Sequence, residues 1–592
     1  MSILVQKFGG TSVADSQKIL AAARKAIRAE KEGNQVVTVV SAMGHTTDVL
    51  IGLARQITDD PPAREMDMLL ATGEQVSVAL MAMAIHSLGH RAVSMTGGQL
   101  GIMTDSTHTK ARIRSINTGR IRRALDEGRI VIAAGFQGID PSENITTLGR
   151  GGSDTTAVAL AAALHAGACE IYTDVDGVYT TDPRIVPEAR RLKQISYDEM
   201  LELASAGAGV MHNRSIEFGK KFSVPIHVRS SFSDQAGTII AADPEAPDQP
   251  VCGAAMIKDD ARVTVLGVPD RPGAAMTVFS KIAAKNIAMD MIVQNVAAEG
   301  HADISFAVLR TDLPATLKAV EEATRVLGAQ GYNYDENVSK ISVVGLGMKS
   351  QPGVAQKMFR ALAQKQINIL MITTSEIKIS VMVDRDSAVE ALRTVHAAFE
   401  LHKESPSAAK VGAESADGLV TNNTSEMVAR MQGMEDLLID DITLDESQAR
   451  VTISGVPDQP GLAAQIFDEI AGQGIVVDMI VQSTGREGRA NLSFTVPQKD
   501  LSRSVEVTGR LARRLGCPPP TSSPKVAKLS VLGTGMRSQT SLSKRLFQSL
   551  AAAGVNVEMI NTSEVRLNVV VDGAAGPTAA EVLRKEFADV MV

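Results

Sequence analysis

The residues of this chain whose types and spacing most directly suggest chemistry lie at 146–154, in the stretch TTLGRGGSD. Three of the four residues at 149–152 are glycines, which let the backbone adopt positive φ and approach a ligand closely. Arg150 lies among them and offers a planar set of donors suited to a carboxylate or a phosphate. The stretch is therefore a candidate anion-binding loop, although an ordinary strand-to-helix turn with an exposed arginine would have the same composition.

Two polar residues stand where a helix should begin after this loop. Ser153 and Asp154 come just before the alanine-rich run TAVALAAALHAGA. An anion beside the loop, at Arg150 and Gly151, would also meet the unpaired N–H groups and the positive end of that helix. The sequence thus predicts an anion site formed by the loop and the helix together.

A second glycine-rich loop follows the first predicted strand. The apolar residues 3–6 lead into Lys7, Phe8, Gly9 and Gly10, with two hydroxyl residues next. A lysine at a strand end beside paired glycines is a candidate phosphate cradle. The P-loop pattern GxxxxGK[ST] does not occur in the sequence, which disfavours a P-loop NTPase fold.

Four later segments repeat the form of a β-branched strand that ends in a loop rich in glycine, serine or threonine. They are residues 36–44, 91–101, 130–138 and 169–184. Helical patterns separate them, so we predict an α/β fold with a mostly parallel sheet covered by helices on both faces. Ligands of such sheets bind beyond the carboxyl ends of the strands, where all these loops would open.

Further polar side chains on or near these loops could hold a substrate or a nucleotide; they are Ser41, Thr47, Glu74, Thr173, Asp174, Tyr179, Asp182 and Arg184. Glu74 could equally be a capping or surface residue of a helix that opens near Thr72, and Thr173 and Asp174 could be turn residues. His45 and His212 have no partner at metal-ligand spacing. We expect each of them to be structural or a neighbour of the site.

Composition narrows the class of protein. A chain of 592 residues should hold several domains. Its net charge of -7 provides no basic surface for nucleic acid or an anionic membrane, so neither is an expected partner. Three scattered cysteines, Cys169, Cys252 and Cys517, fit a reducing compartment and give no zinc-ligand spacing. The sequence has neither a signal peptide pattern nor 18 consecutive apolar residues, and we expect a cytoplasmic protein.

Five motifs occur in order along the first 248 residues: KFGGTSV, VVSAMGHTTD, AREMDMLLATGEQVS, TTLGRGGSDTTAVALAAAL and TDVDGVYTTDPR. Together they resemble aspartate kinases of the amino-acid kinase superfamily, which implies a catalytic domain over residues 1–248 with a three-layer αβα fold. One departure is MHNRSIEF at 211–218, because many family members carry proline where this chain has Asn213.

The resemblance implies ATP-dependent phosphorylation of the β-carboxylate of L-aspartate. Lys7 would neutralise the transferred phosphoryl group, and Asp154 would hold Lys7 in place. Arg150 would bind the α-carboxylate of aspartate and Glu74 its ammonium group. The other implied substrate residues are Ser41, Thr47, Gly151 and Ser153; the implied nucleotide residues are Lys7, Phe8, Gly9, Gly10, Ser41, Thr173, Asp174, Tyr179, Asp182 and Arg184. Mg²⁺ would be carried mainly on ATP oxygens, with no dedicated metal site in the protein.

The second half of the chain contains internal repeats. After a proline-rich linker at 241–250, RVTVLGVPDRPG at 262 recurs as RVTISGVPDQPG at 450, and KISVVGLGMKSQ at 340 recurs as KLSVLGTGMRSQ at 528. Both offsets are 188 residues (450 − 262 and 528 − 340). A constant offset indicates that a block of two modules was duplicated. Each module reads as a strand, a helix and two strands, the start of a ferredoxin-like βαββαβ unit.

These modules resemble ACT domains, which bind amino acids at interfaces between paired modules. The predicted division is 262–337, 338–400, a linker at 401–447, then 448–525 and 526–592; residues 251–259 and 434–448 could add strands to modules. The resemblance implies lysine or threonine as effectors and a homodimer formed through these domains. The expected effector residues form one pocket, made by Asp270, Pro272, Gly273, Ala274 and Ala275 with Asp290 and Gln294 on the next strand. Asn368 and Ile369 of the second module could complete it.

Some alternatives stay open. The fragments GLGMKS at 345 and GTGMRS at 533 have serine where a dinucleotide-binding loop has its third glycine, and we interpret them as strand-end turns. The kinase could act on another amino acid or on a carbamate. The chain could also be a catalytically silent amino-acid sensor, although Lys7, Glu74, Arg150 and Asp154 are all present.

Overall fold

The structure of the chain is a computed structural model. It describes residues 2–285, 287–296, 300–404, 433–484, 488–536 and 540–591. The central part of the predicted linker, 405–432, lies outside the described residues, as does Ser538 at the end of the second strand-end turn.

The first part of the chain alternates strands and helices. Its strands are β1 (Ile3–Phe8), β2 (Gln35–Val40), β3 (Ala92–Met95), β4 (Ile102–Thr104), β5 (Ile113–Ile116), β6 (Ile130–Ala134), β7 (Gln137–Ile139), β8 (Ile145–Thr147), β9 (Ala168–Thr173), β10 (Gln194–Ser196), β11 (Ile226–Ser230) and β12 (Thr238–Ala241). Its helices are α1 (Ser16–Lys31), α2 (Thr46–Ile57), α3 (Ala63–Ser87), α4 (Gly119–Asp126), α5 (Gly152–Leu164), α6 (Tyr197–Ser205) and α7 (Asn213–Phe222).

Eight of these strands form one sheet in the order β10-β12-β11-β9-β1-β2-β6-β3, and every neighbouring pair is parallel except β11 with β12. Helices α1 and α3 pack on one face and α4 to α7 on the other. The predicted parallel αβα fold is therefore confirmed. Phe8 lies opposite both Val40 and Tyr172, so the carboxyl ends of β1, β2 and β9 are level and their loops share one edge.

Helix α3 is apolar and, at 25 residues, long enough to cross a membrane by length and composition alone. More than half of its most apolar window is buried within the protein, where it packs against α1, β3 and β6.

Beside the large sheet, β5-β4-β7-β8 form a smaller one whose last strand leads directly into residue 148. The candidate anion loop therefore starts from this small sheet.

The second part of the chain is built from long antiparallel strands with helices between them. Its strands are β13 (Gly253–Pro269), β14 (Asp290–Val296), β15 (His301–Leu309), β16 (Gly331–Val344), β17 (Met371–Thr374), β18 (Lys378–Asp384), β19 (Leu438–Pro457), β20 (Ile480–Thr484), β21 (Arg489–Pro497), β22 (Thr521–Thr534), β23 (Val557–Thr562) and β24 (Arg566–Asp572). Its helices are α8 (Ala274–Ala283), α9 (Leu313–Leu327), α10 (Val354–Gln364), α11 (Ala388–Ala398), α12 (Leu462–Gly472), α13 (Leu501–Leu515), α14 (Thr540–Ala552) and α15 (Gly576–Glu586).

Each long strand serves two modules. The first half of β13, from residue 253 to 257, pairs with 340–344 of β16, whereas its second half pairs with 331–335. In the duplicate, 438–445 of β19 pairs with 528–534 of β22. Residues 253–257 therefore add a strand to the second module, and residues 438–445 add one to the fourth. In each case the strand comes from before the preceding module in the sequence. Strand β19 begins inside the range assigned to the linker, and the domain bounds stay predictions.

The modules do not pack only with their neighbours in sequence: the second packs against the third, and the first packs against the fourth. Strand β17 of the second module pairs with β20 of the third, and β14 of the first lies beside β23 of the fourth. The buried cores follow the same division, with one cluster joining modules one and four and another joining modules two and three. The physical reason is that shared long strands join modules one and two side by side, which leaves β14 and β17 as open edges. The second block covers both edges.

Candidate active site

A lysine and an aspartate from the two predicted loops are in direct contact. Lys7 lies near the end of β1, and Asp154 lies in the first turn of α5. Lys7 Nζ and Asp154 Oδ1 are 2.6 Å apart, and the side chains are only 11% and 13% exposed. Limited exposure reduces screening by water, so this ion pair fixes the position of the ammonium group more firmly than a surface pair would.

The loop after β1 is held closely against the loop after β2. The Ser41 N–H donates to the Phe8 carbonyl at 3.1 Å, and the Gly44 N–H donates to the Gly10 carbonyl at 3.0 Å. A Cβ at Gly10 would lie 2.8 Å from the Ala42 carbonyl oxygen, closer than side chains approach, so the loop requires glycine there. The N–H of Gly9 donates to the Tyr172 carbonyl at 3.3 Å. This N–H group is therefore bonded within the protein, and the nucleotide-binding role of Gly9 stays a prediction.

Glu74 is a buried residue in the middle of α3 and neither a cap nor a surface residue, which excludes the alternative raised by the sequence. Its Oε1 accepts a hydrogen bond of 3.0 Å from the N–H of Ala42, immediately after Ser41. Its Oε2 is buried and has no hydrogen-bond partner among the described residues. Burial raises the pKa of Glu74 to about 7, against the opposing effect of the bond from Ala42. Thr47 follows Ala42 by five residues and lies in the first turn of α2.

The glycine-rich loop has the backbone that its composition predicts. Gly149 and Gly151 have φ values of 78° and 74°, and α5 begins at Gly152, with Ser153 buried in its first turn. A Cβ at Gly151 would lie 2.3 Å from the Cβ of His212, so the loop packs directly on the residue that caps α7. Arg150 is exposed between these glycines.

Arg150 and Asp154 line a cavity of about 950 Å³ between the first part of the chain, residues 2–248, and the repeated modules. His212 also lines it, and burial lowers the pKa of this imidazole, with the charge of Arg214 acting in the same direction. His212 is therefore a neutral neighbour of the loop. Asn213 occupies the first position of α7, a position that also accepts proline, so the departure from the family pattern leaves the helix intact.

The predicted nucleotide residues are divided between two places. Thr173 ends β9, beside the end of β1, and the rings of Phe8 and Tyr172 stack with centroids 4.7 Å apart. Thr173 Oγ1 donates to Asp174 Oδ1 at 3.1 Å, and the Tyr179 hydroxyl donates to Asp176 Oδ1 at 2.9 Å. Asp182 and Arg184 pair with each other, and the Arg184 side chain is 88% exposed. The structure therefore brings Thr173 to the same edge as the loop after β1 and leaves Arg184 exposed at the surface with Asp182 as its partner.

Sequence reasoning missed Asp67, a fully buried carboxylate in α3. Its oxygens accept hydrogen bonds from Thr147 Oγ1 at 2.5 Å and from the N–H of Thr109 at 3.0 Å, and they lie 2.7 Å from His108 Nδ1. Asp67 thereby ties α3 to the end of β8, directly before the loop at 148–152. The available signal was its position two helical turns before Glu74 in an apolar helix, which places both carboxylates on one face.

Two equivalent pockets lie between the repeated modules. Between modules one and four, Asn556 Nδ2 donates to Asp270 Oδ1 at 2.7 Å, and Gln294 Nε2 donates to the Val557 carbonyl at 2.7 Å. The wall of this pocket includes Gly273, Ala274 and Ala275 at the start of α8, and Pro272 precedes them.

The second pocket lies between modules two and three. Asn368 Nδ2 donates to Asp458 Oδ1 at 2.8 Å, and Gln482 Nε2 donates to the Ile369 carbonyl at 3.1 Å. The prediction that Asn368 and Ile369 complete the Asp270 pocket was therefore wrong. Their partners belong to the following block because modules pair edge to edge across the duplication.

Asp290 is also placed differently from the prediction. It pairs with Lys340 on β16 and lines the large cavity that contains Arg150, not the pocket beside Asp270.

The fragment at 345 is a strand-end turn, as predicted: Gly345 follows the last residue of β16. A Cβ on Gly345 would lie 2.3 Å from the Pro250 carbonyl oxygen, which accounts for glycine at that position.

Comparison with known proteins gives matches to both parts of the chain. Residues 2–230 match the Amino acid kinase family, and residues 341–399, 450–516 and 529–587 match ACT domains. An aspartokinase of Pseudomonas aeruginosa is 51% identical over 404 residues, which are 68% of this chain and 98% of that protein.

Two solved structures are similar to this chain. An aspartate kinase from Synechocystis has 38% sequence identity and a TM-score of 0.51, over 99% of this chain and 98% of that one. Aspartokinase III of E. coli, solved in complex with aspartate and ADP, has 25% identity and a TM-score of 0.58, over 67% of this chain and 99% of that one.

The pKa of Glu74 leads to a prediction about stability. Between pH 4.5 and 7 the folded chain holds a proton on Glu74 that the unfolded chain has lost, so stability falls as pH rises through this interval. The loss is up to about 3 kcal/mol. Glu74→Gln should remove it, and urea unfolding at pH 5 and pH 8 measures the difference. Glu65→Gln, exposed in the same helix, is the matched control. An unchanged pH dependence in Glu74→Gln would contradict the assignment.

Proposed function

This chain belongs to the aspartate kinase family and is a kinase, and from that premise we propose how its residues phosphorylate L-aspartate with ATP. The observation that supports the proposal most directly is the ion pair between Lys7 and Asp154, which joins the loop after β1 to the loop before α5. One loop is suited to phosphate and the other to a small carboxylic acid.

The reaction depends on positioning of the substrates and neutralisation of phosphate charge more than on proton transfer. An oxygen of the β-carboxylate attacks the γ-phosphorus of ATP, the bond from that phosphorus to the bridging oxygen breaks, and ADP leaves with the electron pair. The product is 4-phospho-L-aspartate. The carboxylate is already an anion, so no general base is needed, and a fixed cation at the transferred group supplies the main stabilisation. We assign that role to Lys7, held by Asp154.

Aspartate would lie between Arg150 and Glu74. The guanidinium of Arg150 binds the α-carboxylate, next to the start of α5 with Gly151 and Ser153. Glu74 Oε2 accepts from the α-ammonium group, a role supported by its buried and unpartnered state. The ammonium group favours the ionised carboxylate, so binding lowers the pKa of Glu74 from about 7. Ser41 and Thr47 hydrogen-bond the substrate or the transferred phosphate.

ATP would lie along the ends of β1 and β9. Gly10 and Phe8 line the phosphate side, and Thr173, Asp174 and Tyr179 the nucleoside side. Asp182 and Arg184 would reach the nucleotide only if their mutual ion pair opens. Among the described residues, no three His, Cys, Asp or Glu side chains are grouped as metal ligands, so we propose that Mg²⁺ is held on ATP oxygens. There it would neutralise phosphate charge.

The two pockets between modules would bind amino-acid effectors. Each offers a carboxylate and an amide from facing modules, with the N-terminus of a helix between them, and this combination fits an α-ammonium and an α-carboxylate group. We propose lysine and threonine as these effectors, and the pathway to lysine, threonine and methionine as the setting of the reaction. A cytoplasmic homodimer remains part of the proposal.

Contacts between the second module and the kinase part support a regulatory role of the modules. Lys378, at the start of β18, pairs with Glu202 of α6 at 2.7 Å in a buried position. Thr180 Oγ1, in the nucleotide segment, lies 3.0 Å from His396 Nε2 of α11. A shift of the second module would therefore alter contacts of the kinase part, and we propose that effector binding favours a state in which these contacts differ.

The alternative acceptors are tested by one comparison. Phosphorylation assays with aspartate, glutamate and acetylglutamate separate an aspartate kinase from a related amino-acid kinase. Activity with none of them would instead favour the silent sensor.

Replacing Lys7 tests the role of the catalytic cation. Lys7→Ala should lower kcat roughly a hundredfold or more with a smaller change in KM, because its charge acts mainly in the transition state. A coupled assay for ADP release measures both constants. Lys31→Ala, an exposed lysine of α1, is the control. Unchanged turnover in Lys7→Ala would remove Lys7 from the mechanism.

Replacing Arg150 tests the division of the two substrates. Arg150→Ala should raise the KM for aspartate at least about tenfold and leave the KM for ATP nearly unchanged, because a charge-assisted pair to the α-carboxylate is lost. Arg120→Ala, an exposed arginine of α4, is the matched control. A loss confined to ATP affinity would reverse the assignment.

The two effector pockets can be separated with a matched pair of variants. Asn556→Ala and Asn368→Ala remove equivalent amides from the two pockets and should each weaken inhibition by its own effector about tenfold. Inhibition curves with lysine, threonine and both measure the effect. Two variants that respond identically to both effectors would contradict separate pockets.

A further inference from the structure

A short segment of the regulatory half lies against the substrate side of the kinase part. It comprises residues 433–437, directly before β19, and we call it the clamp segment. Met434 is buried in the core of the kinase part. The N–H of Gly433 donates to the Arg114 carbonyl at 2.9 Å, and Asp436 pairs with the Arg114 guanidinium at 2.8 Å. The main-chain bond and the burial of Met434 thus fix this segment to the kinase part, whereas the exposed pair of Asp436 contributes little.

Glu435, in the middle of the clamp segment, is paired with Arg214 of α7. Arg214 Nη2 lies 2.8 Å from Glu435 Oε1 and 2.7 Å from Oε2. The side chains are 9% and 16% exposed. Because both side chains have so little exposure, water cannot readily replace Glu435 as the partner of Arg214. Removal of Glu435 would therefore leave a largely buried cation without its counter-charge.

Arg214 connects Glu435 to the base of the substrate loop. Its Nη1 donates to the carbonyl of Leu148, and its Nη2 also donates to the carbonyl of Ala111 at 3.0 Å. Leu148 is the residue before Gly149 and is itself buried. The guanidinium therefore holds the point from which the backbone turns towards Arg150, and its planar geometry suits several simultaneous bonds.

The same regulatory block makes a second contact with the start of α7. Asn213 Nδ2 donates to Glu564 Oε2 at 2.8 Å, and Glu564 lies in the turn between β23 and β24. The residue between the substrate loop and this contact is His212, whose ring packs on Gly151. Two carboxylates from the second block thus act on the two residues that follow His212.

We propose that Glu435 is a positioning residue for aspartate: through Arg214 and the Leu148 carbonyl, it sets the orientation of the loop that presents Arg150. The inference rests on the proposed role of Arg150. It gives the second regulatory block a direct part in substrate affinity, in addition to effector binding.

The test uses Glu435→Ala and Glu435→Gln in the full-length chain. Glu435→Ala should raise the KM for aspartate roughly tenfold, because displacement of a binding group by a fraction of an ångström weakens substrate positioning. Glu435→Gln keeps a hydrogen-bond acceptor and should lie between this variant and the wild type. The KM for ATP and kcat at saturating aspartate should stay within about twofold. A role confined to stability would lower the melting temperature without this selective change in KM.

A double-mutant cycle tests the connection through Arg214. Arg214→Lys should also raise the KM for aspartate, and its combination with Glu435→Ala should add little, because both changes break one chain of contacts. The matched control is Asp436→Ala, since Asp436 belongs to the same segment but forms an exposed ion pair, and it should change the KM less than twofold.

The outcomes separate this inference from the proposed function. A folded Glu435→Ala variant with the wild-type KM for aspartate, or with equal rises in both KM values, overturns the positioning role. Should the alanine variant fail to fold, Glu435→Gln and Arg214→Lys decide by the same criterion. If Arg150→Ala leaves the aspartate KM unchanged while Glu435→Ala raises it, the positioning of the loop stands and the assignment of Arg150 falls.

Discussion

The arrangement of the kinase part depends on the contact between Lys7 and Asp154. These residues are far apart in sequence, since Lys7 lies near the end of β1 in the large sheet and Asp154 lies in α5, which follows the small sheet. The packing of α5 against β1 brings them together. The ion pair then fixes an ammonium group between the glycine-rich loop after β1 and the glycine-rich loop before α5. Glu74 adds a buried carboxyl group from α3, and burial raises its pKa to about 7.

Much of this fold could be predicted from sequence because its signals are local. Continuous apolar strands, glycines at 149 and 151 and the alanine-rich run before His165 predicted the parallel sheet, the loop backbone and α5. The constant offset of 188 residues predicted the duplicated modules. The resemblance to aspartate kinases supplied the roles of individual residues, which spacing alone left open. The contact of Lys7 with Asp154 agrees with those roles.

What sequence could not supply is the pairing of surfaces far apart in the chain. The assignment of Asn368 to the Asp270 pocket failed because two equivalent edges were open to each module, and local pattern does not distinguish between them. Glu435 was hidden for a related reason: a single glutamate near a polar linker carries no periodicity. Asp67 was missed because its partners, His108 and Thr147, are fixed by tertiary contact alone.

One buried carboxylate of the kinase part contacts both regulatory blocks. Glu202 of α6 is fully buried, pairs with Lys378 of the second module and accepts the N–H of Glu564 from the fourth. Burial opposes the charge of Lys378, yet Glu202 and the neighbouring carboxylates hold the lysine pKa above its ordinary value.

Lys378 and Glu564 lie on equivalent turns of the two blocks, two residues apart in the repeat. Neither turn can withdraw without leaving Glu202 buried and short of a partner, and breaking one side of such a buried pair is costly. The energy of moving one block therefore depends on where the other block lies.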